Sequence, residues 1–524
     1  MYRDNKHFLY FLVLLIIMAS LLQVKAFTTY LPARSDHAGH IAHAKAILKE
    51  GRCVTFGIYG QAYGYYCGMH VLLVILSFVT AQGIEFVMRE FSLVTSIFIA
   101  ILIYLYIVKE VNTGLRSLGH GYATYALVIL SMLCVTLFPP TYKVGGTIGV
   151  LPLLFLLLYL FYKISFFDGR WNREIILVLV TSIAIASFHI VTSYFIVIAF
   201  VLFLLYVVLL KNRIKFIIPY LITIVAILSI QAVLTITGLQ LIADPIQHVI
   251  NALTFETEQT VFSRYTRFYE LNLIDKILVI IARVGKHISI LIVSITILIL
   301  YLIYSLKHNI NKFYGYVFRT LCATIVALSI TTYIIVAYAF YPKIRLLLYT
   351  SIASIFLLPY ALNTFRKYLP CRRRTRMLIL ILLFSVMTVS LVSHSSLEIQ
   401  QIVPKVHFND KRVWVTTIDY SAPYEEVVQL YFVRVFHTKE LLYWTNAPYE
   451  LAYILPYKYH NRILFLRLDY VLDHYANTDT EEILLVLVRP NYLTALYLDL
   501  YKQIQSHTIT HLVYQGSRIT VYLT

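Results

Sequence analysis

Charge is what this chain has least of. Only 13% of its 524 residues are Asp, Glu, Lys or Arg, while 60% are hydrophobic, and the mean hydropathy is +0.75. A water-soluble protein of this length does not have that balance, so the soluble classes are excluded. Acid is the scarcer sign, with 26 Asp and Glu against 44 Lys and Arg. In a soluble chain a net charge of +18 would suggest nucleic acid. Here the basic residues cluster between apolar runs, where they orient a membrane protein and meet anionic lipid headgroups, so no nucleic-acid partner is expected. The five cysteines fit no metal-binding spacing. Cys53 and Cys67 share one loop, which allows a disulfide there, and Cys134 and Cys322 sit inside apolar runs as small core fillers. There is no internal repeat and no low-complexity linker.

What is present is mostly apolar helix. Runs over 8–27, 90–108, 121–138, 147–162, 175–188, 189–210, 215–238, 277–305, 316–340, 344–363 and 377–393 give about 11 segments able to cross a hydrocarbon core of roughly 30 Å. The first, Phe8 to Phe27, is long and lacks a small-residue cleavage site, so it reads as an uncleaved anchor rather than a signal peptide. With the N-terminus inside, the inner segments hold Lys109 and Arg116, then Lys163, Arg170 and Arg173, then Lys211, Arg213 and Lys215, then Lys307, Lys312 and Arg319. The densest inner cluster runs from Arg366 to Arg376. The outer loops hold chiefly Lys143, Lys343 and Arg345, so the asymmetry orients the chain N-inside and C-outside in the cell membrane. That parity requires the run over 68–82, CGMHVLLVILSFVTA from Cys67 on, to lie at the interface as a juxtamembrane helix rather than to span.

The expected fold class is therefore an all-α polytopic membrane protein over residues 1–395, with a first outward loop at 28–89. A small extracytoplasmic α/β domain follows over 396–524, where polar and turn residues return to globular frequency. In that domain KRVWVTTID and EEILLVLV read as strands, SAPYEEVVQLYFVRVF and NYLTALYLDLYKQIQS as helices, and HLVYQGSRITVYL as a hairpin turning at Gly516–Ser517.

The segment from Asp36 to His70 joins titratable side chains to the expected water boundary. SDHAGHIAHAKAILKEG reads as a helix capped by Ser35 and ended by Gly51. Asp36, His40 and His43 then share one face, above an apolar face of Ile41, Ala44, Ile47 and Leu48 suited to the membrane surface. A carboxylate in a partly dry site has a raised proton affinity, which suits a general base.

This loop resembles the first outward loop of the GT-C superfamily, the membrane glycosyltransferases that use polyprenyl-phosphate-linked sugars. Asp36, HIAHAKAILKEG and YGYYCGMHVLLVILSFVTAQG carry the likeness, with the returning span that ends YLYIVKE. PPTYKVGGTIGVLPLLFLLLYL, FHIVTSY and YPKIRLLLYTSIASIFLLPYAL resemble later elements of the superfamily, and the closing VYQGSRITVYL resembles the terminal hairpin of archaeal members; the whole is similar to the protein mannosyltransferase or aminoarabinose transferase type. Three departures stand out. Tyr65, Tyr66 and Cys67 replace a paired-proline entry, the loop from Pro139 to Gly149 has no acidic residue, and no WWDYG-type motif is present.

The resemblance implies inverting transfer of a sugar from a polyprenyl-phosphate donor (dolichyl phosphate in an archaeon) to a hydroxyl of a protein or glycolipid acceptor, with Asp36 as the base. For His37, His40 and His43 three roles stay open: orienting Asp36, binding phosphate, or holding a divalent metal together with Asp36. Solvated interfacial histidines are the plainer alternative. The pattern demands no cofactor. Arg345, Lys143 and His189 are candidates for binding the phosphate or sugar, set against headgroup anchoring for the two cations and a structural role for His189. The long outward segment over 239–276 reads as a lid or a solvated helix. Two other functional classes stay in view. A transporter or flippase would show paired buried charges or symmetric broken helices. A non-catalytic assembly protein on a degenerate GT-C scaffold would explain the missing second carboxylate.

Overall fold

The computed structural model of the protein describes residues 36–53, 67–113, 146–166, 172–210, 217–233, 273–307, 313–338 and 344–368, seven strands between 406 and 523, and a few single positions. The helices are α1 (Asp36–Glu50), α2 (Gly68–Thr80), α3 (Ile84–Thr113), α4 (Gly146–Phe166), α5 (Asn172–Phe188), α6 (Ile190–Leu210), α7 (Ile218–Val233), α8 (Leu273–Lys307), α9 (Phe313–Tyr338) and α10 (Ile344–Tyr368). The expected spans at 8–27, 121–138 and 377–393 lie outside the described residues, as do Cys134, Lys143 and nearly all of 239–276. Each other expected span coincides with a helix. Among the described residues five helices are long and apolar enough to cross a membrane, over Ile84–Tyr106, Ile190–Val207, His287–Leu306, Val317–Ile335 and Leu346–Phe365.

Their exposed faces show what surrounds them. Along α8, Ile288, Ile292, Ile295, Ile299, Leu302 and Leu306 form one exposed row at helical spacing, and Val94, Phe98, Ile101 and Leu105 do the same on α3. Apolar stripes of this length facing outward belong against hydrocarbon, not water. The chain is a multi-pass membrane protein.

Lipid tails are as apolar as leucine, so helices in a bilayer associate through close packing rather than the hydrophobic effect. Among the described spans that of α10 is the most buried, at 83% against 33% for that of α8. It packs on α4, α8 and α9. Its small residues Ser351, Ala353, Ser354 and Ala361, all buried, let neighbours approach, and the Thr350 and Ser351 hydroxyls donate back to the carbonyls of Leu346 and Leu347. Pro359 lies within α10 and removes one backbone N–H. Nearby, the Phe356 carbonyl accepts a hydrogen bond from Tyr106 Oη of α3 at 2.9 Å. Around that bond the rings of Tyr106, Phe155, Tyr162, Phe318 and Phe356 meet at centroid distances of 4.6 to 5.7 Å, tying α3, α4, α9 and α10 together.

With 13 residues α2 is about 20 Å long, too short to cross, as its sequence predicts. Its far end exposes Ile75, Phe78 and Val79, while Met69, His70, Leu73 and Val74 are buried.

Beyond the bundle, β3 (Leu442–Thr445), β4 (Ile463–Phe465), β5 (Ile483–Val488), β6 (His511–Gln515) and β7 (Ile519–Leu523) form a sheet in the order β4-β3-β5-β7-β6. A separate pair, β1 (Val406–Phe408) and β2 (Lys411–Val413), is antiparallel. The uninterrupted apolar run of β5 sits between two neighbours, as a central strand should. The pairs β3–β4 and β3–β5 are parallel and β6–β7 is the expected antiparallel hairpin. Parallel neighbours need long crossovers, and the segments 446–462 and 466–482 supply the length. The helices expected at 421–436 and 491–506 lie outside the described residues.

Candidate functional site

The helix predicted from Asp36 forms, and Gly51 ends it at a φ of +67°, a conformation glycine adopts without strain. Asp36 and His37 are its first residues; their side chains lie outside the described set. Cys53, just past α1, is joined by a disulfide to Cys67, just before α2. The cross-link closes the two helices into a hairpin. Lys45 of α1 adds an ion pair to Glu85 of α3 at 2.5 Å.

The structure corrects the surface reading of this helix. Its apolar and its histidine faces are both covered: Ile41, Ala42, Ala44, Ala46 and Ile47 are buried, and so are His40 and His43. The histidines are not solvated interfacial groups, because α2 and α3 pack over them. They meet a third histidine from α2. His40 Nδ1 lies 2.8 Å from His70 Nε2, and the His43 and His70 rings have centroids 4.3 Å apart. At 2.8 Å the two nitrogens share one proton, so at least one of the rings is neutral at that nitrogen. Burial, and behind it the positive charge His43 and His40 would carry, hold the His70 imidazole well below its ordinary value of 6.5. Among the described residues no group of three His, Cys, Asp or Glu side chains is arranged to hold a metal ion. The set of Asp36, His40 and His43 depends on a carboxylate outside that description.

The histidine hairpin is docked onto the bundle through two glycines. A Cβ on Gly68 would lie 2.9 Å from the Ser187 carbonyl oxygen of α5, and one on Gly149 would lie 2.8 Å from Met69 Sδ and 3.1 Å from Phe188 Cδ1. The start of α2, the first turns of α4 and the end of α5 thus meet within van der Waals contact.

Two residues beyond Ser187 stands His189, at the break between α5 and α6. Its own N–H donates to the Ile185 carbonyl, and its carbonyl accepts from the Ser193 N–H. Its ring caps α6, because Nδ1 accepts the backbone N–H of Thr192 at 3.2 Å. Thr192 Oγ1 lies 2.8 Å from the same Nδ1 and 2.5 Å from Tyr349 Oη on α10. Tyr349 also stacks on Phe195, with centroids 4.7 Å apart. Position 345 is one helical turn before Tyr349 on the same face of α10; the Arg345 side chain lies outside the described set.

Four stretches far apart in the chain therefore converge at one end of the bundle: the hairpin from Asp36 to His70, the start of α4, the α5–α6 break with Thr192, and the start of α10. Sequence reading singled out all four, but not His70, Thr192 or Tyr349 as members of the constellation. His70 carried a signal in being the one histidine of the short helix. Thr192 carried one in its spacing of three from His189, and Tyr349 in its spacing of four from Arg345.

No family model matches the sequence, and no curated protein matches it. Among solved structures, ArnT from Cupriavidus metallidurans bound to undecaprenyl phosphate aligns over 98% of this chain and 97% of that one, with 11% identity and a TM-score of 0.39.

Proposed function

We propose that this membrane protein is a glycosyltransferase that moves a sugar from a polyprenyl-phosphate carrier to an acceptor hydroxyl, with its site on the extracytoplasmic side and the N-terminus in the cytoplasm. The observation that carries the reading is the convergence just described. The segments whose residues resemble the GT-C pattern are distant in sequence and meet at one end of the helices, beside a helix too short to span. The disulfide between Cys53 and Cys67 supports the placement, since such bonds persist in oxidising compartments.

The chemistry follows from the residue types. An acceptor hydroxyl is a poor nucleophile and must shed its proton as it attacks. Asp36 takes that proton while the acceptor oxygen bonds to the anomeric carbon. The bond from that carbon to the carrier's phosphate oxygen breaks on the opposite face, and the phosphate leaves with the electron pair, so configuration inverts. Arg345, with Lys143, neutralises the charge that develops on the phosphate, for which a guanidinium fork is suited. His37 and His40 flank Asp36 and orient it. The C-terminal sheet domain helps bind a protein or glycolipid acceptor, and a divalent metal at Asp36, His40 and His43 is a further ligand to assay. The acid-free loop from Pro139 to Gly149 favours a second reading, a non-catalytic scaffold of the same fold.

A transfer assay decides between them. Purified protein in lipid nanodiscs is given a dolichyl-phosphate sugar and a mixed acceptor extract. We expect Asp36→Asn to lower turnover at least about 100-fold with little change in donor binding. Equal turnover by wild type and variant would overturn Asp36 as the base, and absence of turnover in the wild type would favour the scaffold.

A further inference from the structure

The run over 68–82 reads from sequence as one interfacial surface, but α2 divides in two. In its first half Met69, His70, Leu73 and Val74 are buried against α1, α3 and α5, and after Val74 none of its residues is buried. Its last turn and the residues that follow project from the bundle. Phe78 is 71% exposed and Val79 78%, and Thr80 to Gly83 are exposed as well. From Cys67 to Ile84 the chain holds no Asp, Glu, Lys or Arg. Two large apolar side chains held outward on an uncharged helix end are unfavourable in water.

A helix end also leaves carbonyls without partners, and here they are met from within. The Ser77 carbonyl accepts the Gln82 N–H at 3.2 Å and the Phe78 carbonyl accepts the Ala81 N–H at 3.3 Å, the two bonds of a Schellman turn. Ala81 takes the left-handed φ of +54° that closes this turn. The Thr80 hydroxyl donates to the Leu76 carbonyl, and the Ser77 hydroxyl to the Gln82 carbonyl. As α3 begins, the Gly83 carbonyl accepts the N–H groups of Phe86 and Val87. In water such closure is optional, because solvent supplies the missing partners. Against acyl chains it is required, because nothing there replaces an absent hydrogen bond.

The level of this end is set by α3, whose span starts at Ile84, directly after the turn. Phe86 is exposed on the first turn of α3, and the exposed row from Val94 to Leu105 begins about two turns further along. Glu85 is ion-paired with Lys45, and Glu90 stands half-buried between Phe86 and that row. The end of α2 therefore lies where charge gives way to apolar surface. We infer that it is a one-ended membrane anchor: Phe78 and Val79 enter the boundary between headgroups and acyl chains in the leaflet at which α3 begins, while the buried half of α2 holds the bundle. Its partner is the lipid surface, continuous with the lipid already assigned to the outward row of α3. The bond from Cys53 to Cys67 passes this anchorage to α1, so the bilayer fixes the height of the hairpin that starts at Asp36. No donor or acceptor enters the inference, and it stands or falls apart from the proposed function.

The test puts a bimane fluorophore on Phe78→Cys or Val79→Cys in the full-length protein, held in nanodiscs, and compares three quenchers. These are iodide in the water, a nitroxide on the lipid chain near its headgroup, and a nitroxide near the end of that chain. Ile295→Cys, exposed close to the middle of the α8 span, supplies the hydrocarbon reference. Wild type carried through the same labelling supplies the background. At positions 78 and 79 we expect the shallow nitroxide to quench at least about threefold more than iodide, and more than the deep nitroxide. At position 295 the deep nitroxide should be the strongest. Iodide as the strongest quencher at 78 and 79 would put the helix end in water and overturn the inference. The deep nitroxide as the strongest would overturn the boundary level. Protection from all three would mean that protein covers the end, and lipid would fall as its partner. Both side chains are exposed, so their replacement leaves the packed half of α2 intact, and either position carries the test by itself.

Discussion

His70 is the residue whose surroundings are most at odds with its chemistry. It is buried on a short helix with two other imidazoles against it, and it stays neutral where an exposed histidine would take up a proton. The sign of the consequence is fixed. The unfolded chain protonates His70 near its ordinary 6.5, the folded chain only at much lower pH. Below about pH 6.5 the unfolded state therefore binds more protons, and stability falls as pH drops toward the folded value, by up to about 1.4 kcal/mol per pH unit for this one group. We expect the thermal midpoint in detergent to fall between pH 7.5 and 5, and to fall less in His70→Gln. Parallel pH curves for the two proteins would show that His70 titrates alike in both states. Gly68 makes a second test at this scale. A methyl group there meets backbone rather than a movable side-chain end, so Gly68→Ala should lower stability by about 1–3 kcal/mol. Gly149→Ala, which chiefly displaces the flexible Met69 thioether, should cost less in the same unfolding measurement.

At the scale of elements the hairpin of α1 and α2 is the unit to perturb. Its cross-link joins cysteines 14 residues apart, and closing a loop of that size is worth about 3 kcal/mol in the chain-entropy account. Reductant should lower the thermal midpoint of the wild type and leave the Cys53→Ser, Cys67→Ser double variant unchanged. An equal response in both would place the effect of the reductant elsewhere. The short helix was legible in the sequence, because a largely apolar run of fifteen residues from Cys67 is too brief to span. The burial of α1 was not. Polar and charged residues interleaved with alanines look like a surface helix, and only the tertiary partners α2 and α3 reveal that the apolar and histidine faces are covered. The break at His189 was legible as a boundary between two apolar runs. The bond from Thr192 to Tyr349 was not, since 157 residues separate them and no local pattern announces a contact of that range.

At the scale of the molecule, hydropathy alone located the long spans, because each must satisfy its backbone internally and expose carbon to lipid. Which of the described helices is most buried was written more faintly, in the serines and alanines of α10 rather than in its hydropathy. The row of branched side chains along α8 bears on how the protein must be handled. Left in plain buffer, such a seam finds its match on another copy and the preparation precipitates. The surrounding amphiphile is therefore a structural component of the folded state, and every unfolding curve or binding constant belongs to the chain together with its collar of lipid or detergent.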